Sequence, residues 1–393
     1  MPVPESVKLT LVRIVYWVAG PVFIGTGHYD TWRSALVFGK TQDITFPVDL
    51  HHAEKLMVIL VPEHNTISGG IYSMMSIANQ MYRLRRTHGY EVLVMTRPNR
   101  LNITYYRNTH FRNAENVYRF EQILLCEGAQ DIYLHIPEYA AASFMEEISY
   151  AEREYLKSRK KLHVNILNQN VELMPEKARF SELRKLCRGN ISQSVAHHAY
   201  FTQAIANLYD LKTILLPAYT DLSLYPPMSF EKKEKLIIYS PDEATYKAAC
   251  LRRIAKEFPD FQLIEIQGVT FDRFMDYATR CLFSITFGEG FDGYLTQPTL
   301  QGGVGFAVYN DKFFPSPEFK KYANIFQDGA EMVACICDRM KYLLADRAAY
   351  EQVSEEFIDA HNQLYDYYEY VKKIEYLALK RFEILPEAER EIA

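Results

Sequence analysis

The chain has 393 residues, 48% hydrophobic and 14% aromatic, with 44 basic against 49 acidic side chains and a net charge of −5. That length points to about two domains. The apolar content excludes general disorder, and the slightly acidic balance excludes a generic nucleic-acid binder, which would be basic.

Residues 1–50 read as an irregular N-terminal extension with one helical stretch. Its apolar run over 9–24 is short and broken by Arg13 and Pro21, so it predicts no membrane span. No small-residue cleavage site marks it as a signal peptide, and it reads as a core helix or one lying on a membrane surface. From LMVILVP (56–62) the pattern changes to near-continuous apolar runs, as buried parallel strands require. A turn containing Ser68-Gly69-Gly70 follows, then a methionine-rich helix, then the strand YEVLVMT (90–96), which together form a βαβ unit. DIYLHIP (131–137), LHVNILNQN (162–170), the start of ISQSVAH (191–197) and TILLPAY (213–219) continue the alternation. A polar, proline-marked link covers 220–235, and a second alternation begins with KLIIYSP, FQLIEIQ, CLFSITFG and GFAVYND. Helices are predicted over 329–346 and 348–385. The organisation is α/β: an extension (1–50), one Rossmann-like domain (51–222), a second (230–364) and a C-terminal helix crossing back to the first domain (365–393).

Charge is unevenly spread. Residues 81–120 hold eight arginines and two acids, and Lys157, Arg159, Lys160 and Lys161 form a second basic run. These are either solvated faces with local ion pairs or a surface that meets phosphate or anionic lipid. The six cysteines are scattered, with no second Cys or His pair at ligand spacing, so buried thiols are expected and no metal site.

Ligands of such sheets bind at the carboxyl ends of the strands, which selects the loops that matter. At Ser68-Gly69-Gly70 the glycines either let backbone N–H groups approach a phosphate or sugar or make a plain tight turn. Lys247, following KLIIYSPDEAT, is either a cation for a diphosphate or part of a solvated helix face. Gly268 and Thr270, in the loop after FQLIEIQ, either offer backbone groups to a base or form a turn. The most specific constellation is GEGFDGYLTQ (288–297). There Glu289 is flanked by glycines at a strand end, and Gln297 follows eight residues later, with Pro298 expected in the first turn of the next helix. Glu289 and Gln297 are placed to hydrogen-bond two ends of one polyhydroxyl ligand, within a loop that also carries Gly290, Phe291 and Asp292.

In their order and spacing these pieces resemble GT-B glycosyltransferases of the retaining family 4 type, over about residues 56–385. LMVILVP, SGG and GYEVLVMT resemble the family's first strand, Gly-Gly turn and G-hydrophobic-E-V strand. DIYLHIPEYAA, with His135, resembles its D-I-V-H-x-H strand. LPAYTDLSLYPP stands where the family has its interdomain I-P-N-G-V-D signature, and GEGFDGYLTQ resembles the start of the donor-site E-x7-E motif. The resemblance implies two Rossmann-like domains facing an interdomain cleft, with an acceptor domain first and a nucleotide-sugar domain second. It implies Glu289 as the catalytic residue; donor contacts from Lys247, Gly268, Thr270, Gly290, Phe291, Asp292 and Gln297; and an acceptor or phosphate loop from Ser68, Gly69, Gly70, His135, Asn168 and Gln169. The sequence departs from the pattern in three respects. Gln297 replaces the second Glu, Asn168 and Gln169 stand where a His is common, and the Arg-Lys pair that grips the diphosphate is reduced to Lys247.

The function so implied is metal-independent, retaining transfer of a sugar from a nucleotide-diphosphate donor to a glycan or glycolipid hydroxyl, in bacterial surface polysaccharide synthesis. No cofactor is expected beyond the nucleotide sugar. The expected partners are that donor, a glycan or lipid-linked acceptor and an anionic membrane surface, in the cytoplasm or at the inner face of the membrane. The departures motivate an alternative, a GT-B-like module that has lost catalysis and serves as a binding or scaffold subunit. An epimerase on the same fold is a third reading, disfavoured by the sparse acid/base groups around Glu289.

Overall fold

A computed structural model describes residues 46–62, 69–98 and 116–387. The apolar run at 9–24, Ser68, and Arg100, Arg107 and Arg112 of the basic segment lie outside the described residues. Chain contacts divide the protein into two units. The first holds residues up to Ala196, Phe201–Leu216 and Val371 onward; the second holds His197–Tyr200 and Pro217–Tyr370.

The first unit is a seven-stranded parallel sheet. Its strands are β1 (Lys55–Val61), β2 (Glu91–Thr96), β3 (Val117–Arg119), β4 (Asp131–Pro137), β5 (Lys161–Asn168), β6 (Ile191–Val195) and β7 (Lys212–Leu215). They lie in the order β3-β2-β1-β4-β5-β6-β7. Leu56 pairs with Glu91 on one side and Ile132 on the other, so the order reverses between β1 and β4. After its first residue β1 is buried throughout, which is why its sequence is one apolar run rather than an alternation. Helix α1 (Gly69–Arg83) buries Ile71, Met74, Met75, Ala78 and Met81, the three-and-four spacing of a one-sided helix.

Strand residues alternate between two chemically different faces. Leu56, Val58, Leu60, Leu134, Ile136, Val164 and Ile166 belong to the apolar core on one face. The alternate positions include Tyr133, His135, Asn165, Ser192 and Ser194, all nearly fully buried, together with His163. The chain's C-terminal end ties onto this unit. Lys380 Nζ donates to Tyr90 Oη at 2.8 Å, Phe382 stacks on His163, and Ile384 bridges to Thr213.

The second unit is a five-stranded parallel sheet of β8 (Glu234–Tyr239), β9 (Gln262–Glu265), β10 (Cys281–Ile285), β11 (Val304–Val308) and β12 (Ile325–Phe326), in the order β12-β11-β10-β8-β9. Here the reversal lies between β8 and β10. Its helices are α2 (Lys247–Glu257), α3 (Phe271–Arg280), α4 (Gly293–Leu300), α5 (Gly329–Ala345) and α6 (Arg347–Asn362); α7 (Tyr367–Ala378) follows. Cys250, Ile254, Met332, Ile336 and Met340 cover one face of the sheet, and Met275 and Ala278 the other. All six cysteines are free thiols, five of them buried.

Both sheets are the parallel α/β sheets expected. The two-residue β12 and three-residue β3 carry too little pattern to be anticipated. The expected helix over 348–385 is two helices with a turn between Asn362 and Tyr367. Pro298 is not in the first turn of its helix. Asp292 caps α4 and starts it at Gly293, which leaves Pro298 inside.

Candidate functional site

In a sheet of the second unit's order, ligands bind where the strand order reverses, at the carboxyl ends of β8 and β10. These two ends are stapled together: Ser240 Oγ accepts the Phe287 N–H at 2.9 Å, and Ser240 N–H donates to Ile285 O. One residue of the loop that follows β10 needs glycine for its backbone conformation. Gly290 takes φ +86°, and a Cβ there would lie 2.7 Å from the Val308 carbonyl oxygen. At Gly288 the Asp242 carboxylate fills the space a side chain would need. Glu289 stands between them, half-buried. Gly290→Ala is expected to cost about 1–3 kcal/mol through backbone strain, measurable as a lowered denaturation midpoint at unchanged m-value.

Asp292 closes the loop. Its carboxylate accepts the Tyr294 and Leu295 N–H groups at 2.8 and 3.1 Å and the Thr286 hydroxyl at 2.5 Å, which ties the strand end to the helix start. Burial pushes its carboxyl up to about 6, against the opposing pull of those hydrogen bonds, and the nearby Asp242 charge adds to the rise. Asp292→Ala is expected to lose about 0.5–2 kcal/mol, as for any removed helix cap, and Asp292→Asn to retain most of it. Thermal melts of the pair check this.

Gln297 lies on α4. Its Nε2 donates to Thr220 Oγ1 at 3.3 Å, and its Oε1 is buried without a hydrogen-bond partner, an acceptor available to a ligand hydroxyl.

The other expected donor contacts have structural duties. Phe291 is buried in an aromatic cluster with Phe314, Phe319, Phe357 and Tyr365 and anchors the loop rather than facing solvent. Thr270 caps α3 through the Arg273 N–H, and Gly268 makes a left-handed turn at φ +65°. Lys247 is a buried cation. Its Nζ contacts the Pro241 carbonyl and Glu265 Oε1, each at 3.0 Å, with Glu243 at 3.7 Å and the Tyr239 and Phe287 rings alongside. It therefore joins the ends of β8, β9 and β10, and Glu265 already neutralises it.

In the first unit the reversal falls between β1 and β4. Gly69 and Gly70 open α1 just past β1, and a Cβ on Gly70 would come within 3.0 Å of Gln169 Oε1, so these two loops meet. Asn168 is the buried last residue of β5. His135, by contrast, sits inside the sheet, two residues short of the end of β4. Its ring packs on Tyr133 at 4.3 Å and its Nδ1 lies 3.4 Å from Asn165 Oδ1, so strand alternation buries it below the loops. Glu138, which was not anticipated, follows directly after β4 and is 3% exposed. Its two oxygens accept the Gln169 and Asn170 N–H groups at 3.3 Å, and burial pushes its carboxyl up to about 7. The signal in the sequence is an acid placed at a strand end in HIPEYA.

Arg97, at the end of β2, pairs with Glu147 at 3.6 Å, and Arg119 pairs with Glu121. Among the described residues, no group of three or more His, Cys, Asp or Glu side chains is placed to hold a metal ion, and no helix is long and apolar enough to cross a membrane.

No protein-family model and no curated protein sequence matches the chain. Solved structures do. A sucrose-phosphate synthase from Thermosynechococcus elongatus superposes with a TM-score of 0.52 at 9% identity, covering 83% of this chain and 99% of that one. A glycosyltransferase from Rickettsia africae gives a TM-score of 0.52 at 10% identity with the same coverages. At such identities the likeness establishes the fold. The chain has the GT-B fold, with two Rossmann-like α/β sheets.

Proposed function

We propose that the protein transfers a sugar from a nucleotide-diphosphate donor to a hydroxyl of a glycan or glycolipid, with retention and without a metal ion. The GT-B fold makes this reaction class the natural reading, although fold alone does not fix chemistry. The observation that carries it to this chain is the built loop at the reversal point of the second sheet. There Glu289 is set between Gly288 and the left-handed Gly290, and Gln297 presents an unpartnered buried acceptor on the helix that Asp292 caps. In this reading the carboxylate of Glu289 stabilises the positive charge that builds at the anomeric carbon, and Gln297 Oε1 accepts a donor hydroxyl. The N-terminus of α2, beside Lys247, favours the departing diphosphate. A lipid-linked or polysaccharide acceptor, and docking on an anionic membrane surface at the inner face of a bacterial membrane, belong to the same reading.

Titration calorimetry with nucleoside diphosphates and their sugars tests it. A donor that binds and is slowly hydrolysed in the absence of acceptor supports transfer. One observation favours the second reading, a binding or scaffold module without catalysis: the single expected diphosphate cation, Lys247, is already held by Glu265. Failure of every nucleotide and nucleotide sugar to bind would select it.

A further inference from the structure

At the carboxyl edge of the first sheet, two buried side-chain polar atoms, Asn168 Oδ1 and Gln169 Nε2, have no hydrogen-bond partner. The orientation of the Asn168 amide follows from a hydrogen-bond relay through the buried strands β5, β6 and β7. Thr213 Oγ1 donates to the Leu211 carbonyl at 2.9 Å, so it must accept from Gln193 Nε2 at 3.0 Å. Gln193 therefore turns its Oε1 toward Asn168, whose Nδ2 donates to it at 3.2 Å. That leaves Asn168 Oδ1 fully buried and without a partner. A buried polar atom left unmatched in a native protein calls for an explanation, and a ligand group is one. Next to it, Gln169 Nε2 is likewise buried and without a partner, while its Oε1 lies against Gly70.

Both amides belong to one segment, and Glu138 tethers it from the end of β4. Glu138, itself buried, reaches from the end of β4 and accepts the N–H groups of Gln169 and Asn170 on separate oxygens. A carboxylate receiving two backbone donors fixes both the height and the rotation of the segment it holds. Gly70 borders the arrangement, its position leaving little room between the start of α1 and Gln169 Oε1.

We propose that Glu138 is a positioning residue that holds loop 168–170 so that Asn168 Oδ1 and Gln169 Nε2 receive the hydroxyl groups of a neutral saccharide. This rests on the sugar-transfer reading and specifies its acceptor side. The chemistry selects hydroxyls over phosphate. One amide offers an acceptor and the other a donor, which a sugar hydroxyl can use together. A phosphate would meet the buried carboxyl of Glu138, and the nearby cation Arg97 is paired with Glu147.

The test uses the full chain at pH 8 with a panel of neutral mono- and disaccharides and the corresponding sugar phosphates, read by saturation-transfer NMR and titration. The expected result is binding of at least one neutral saccharide in preference to its phosphate. Gln169→Ala and Glu138→Ala should each weaken that binding about tenfold or more, and Glu138→Asp, which keeps a carboxylate, should lose less than Glu138→Ala. Gln169→Ala guards against loss of the loop in Glu138→Ala, because it leaves the tether in place. Three results would overturn the proposal: no neutral saccharide bound by the wild-type protein, preference for the phosphate, or wild-type affinity in either alanine variant. Nucleoside diphosphate binding is measured separately. Its absence would remove the transfer reading while saccharide binding still decided the role of Glu138.

Discussion

Glu289→Ala is expected to reduce sugar transfer at least about 100-fold, the usual consequence of removing one preorganised charge-stabilising group. Stability should stay within about 1 kcal/mol of wild type. The two parts of this expectation rest on different observations. The loop's shape is set by the backbone and by neighbours of Glu289: Gly290 in its left-handed conformation, Asp292 capping α4, Phe291 buried among aromatic rings, and Ser240 holding the strand ends together. These contacts are made by other groups and should persist when the Glu289 side chain is removed. The loss should appear in kcat and kcat/KM together, because the carboxylate would act on charge that develops only in the transition state. Gln297→Ala should act mainly on the donor KM, since a hydroxyl contact is made equally before and during reaction. Near-wild-type transfer in Glu289→Ala would remove this residue from the site. A large drop in its unfolding midpoint would show instead that it is part of the scaffold.

The strands were legible wherever both faces of a parallel strand are covered by apolar groups. LMVILV and EVLVMT could hardly be anything else, and their parallel pairing follows from the helices between them. ISQSV, expected as the start of a strand, is a strand of the same sheet and fully buried although three of its five residues are polar. Its membership depends on the partners that Asn165, Asn168 and Thr213 supply from neighbouring strands, which no local pattern encodes. The candidate site divides in the same way. Glycines around Glu289 announce a constrained loop because their conformations are local. Which of the loop residues turn inward is not local. Phe291 turns into a core built partly by α6, some 60 residues further along the chain. Likewise Lys247 reads by itself as either a diphosphate cation or part of a solvated helix face, and only the adjacency of β8 and β9 brings Glu265 to it. Glu138 was visible as an acid after a proline, but its role exists only once the loop after β5 folds over it.

The polar face of the first sheet should make the protein's stability depend on pH through groups of opposite sense. Burial holds His135 and His163 neutral and lowers both to about 3, with the charge on Lys380 adding to the effect. In the unfolded chain the same histidines titrate near 6.5. Above that value they cost nothing. As pH falls below it the unfolded state takes up protons that the folded state refuses, so stability is lost. At pH 5 the loss is about 2 kcal/mol for each histidine. Glu138, raised to about 7, and Asp292, raised to about 6, act the other way. Their protonated forms are favoured in the folded state, so their contribution is fully present below the unfolded carboxylate value and is lost as pH rises through 6 to 7. Because the two sets oppose each other between pH 5 and 7, the wild-type curve should be flatter than either set alone would make it, and single variants should expose the slopes. His163→Gln, which keeps a polar group near Ser192 but loses the stack on Phe382, should be less stable than wild type at pH 7.5. The gap should narrow by about 2 kcal/mol at pH 5, since the variant no longer carries that titration. Glu138→Gln should show the opposite trend, losing ground to wild type as the pH is lowered from 7.5 to 5. Chemical denaturation of the three proteins at the two pH values measures both slopes. Parallel curves would mean that water reaches this face of the sheet and that His163 titrates in the folded protein much as it does in the unfolded chain.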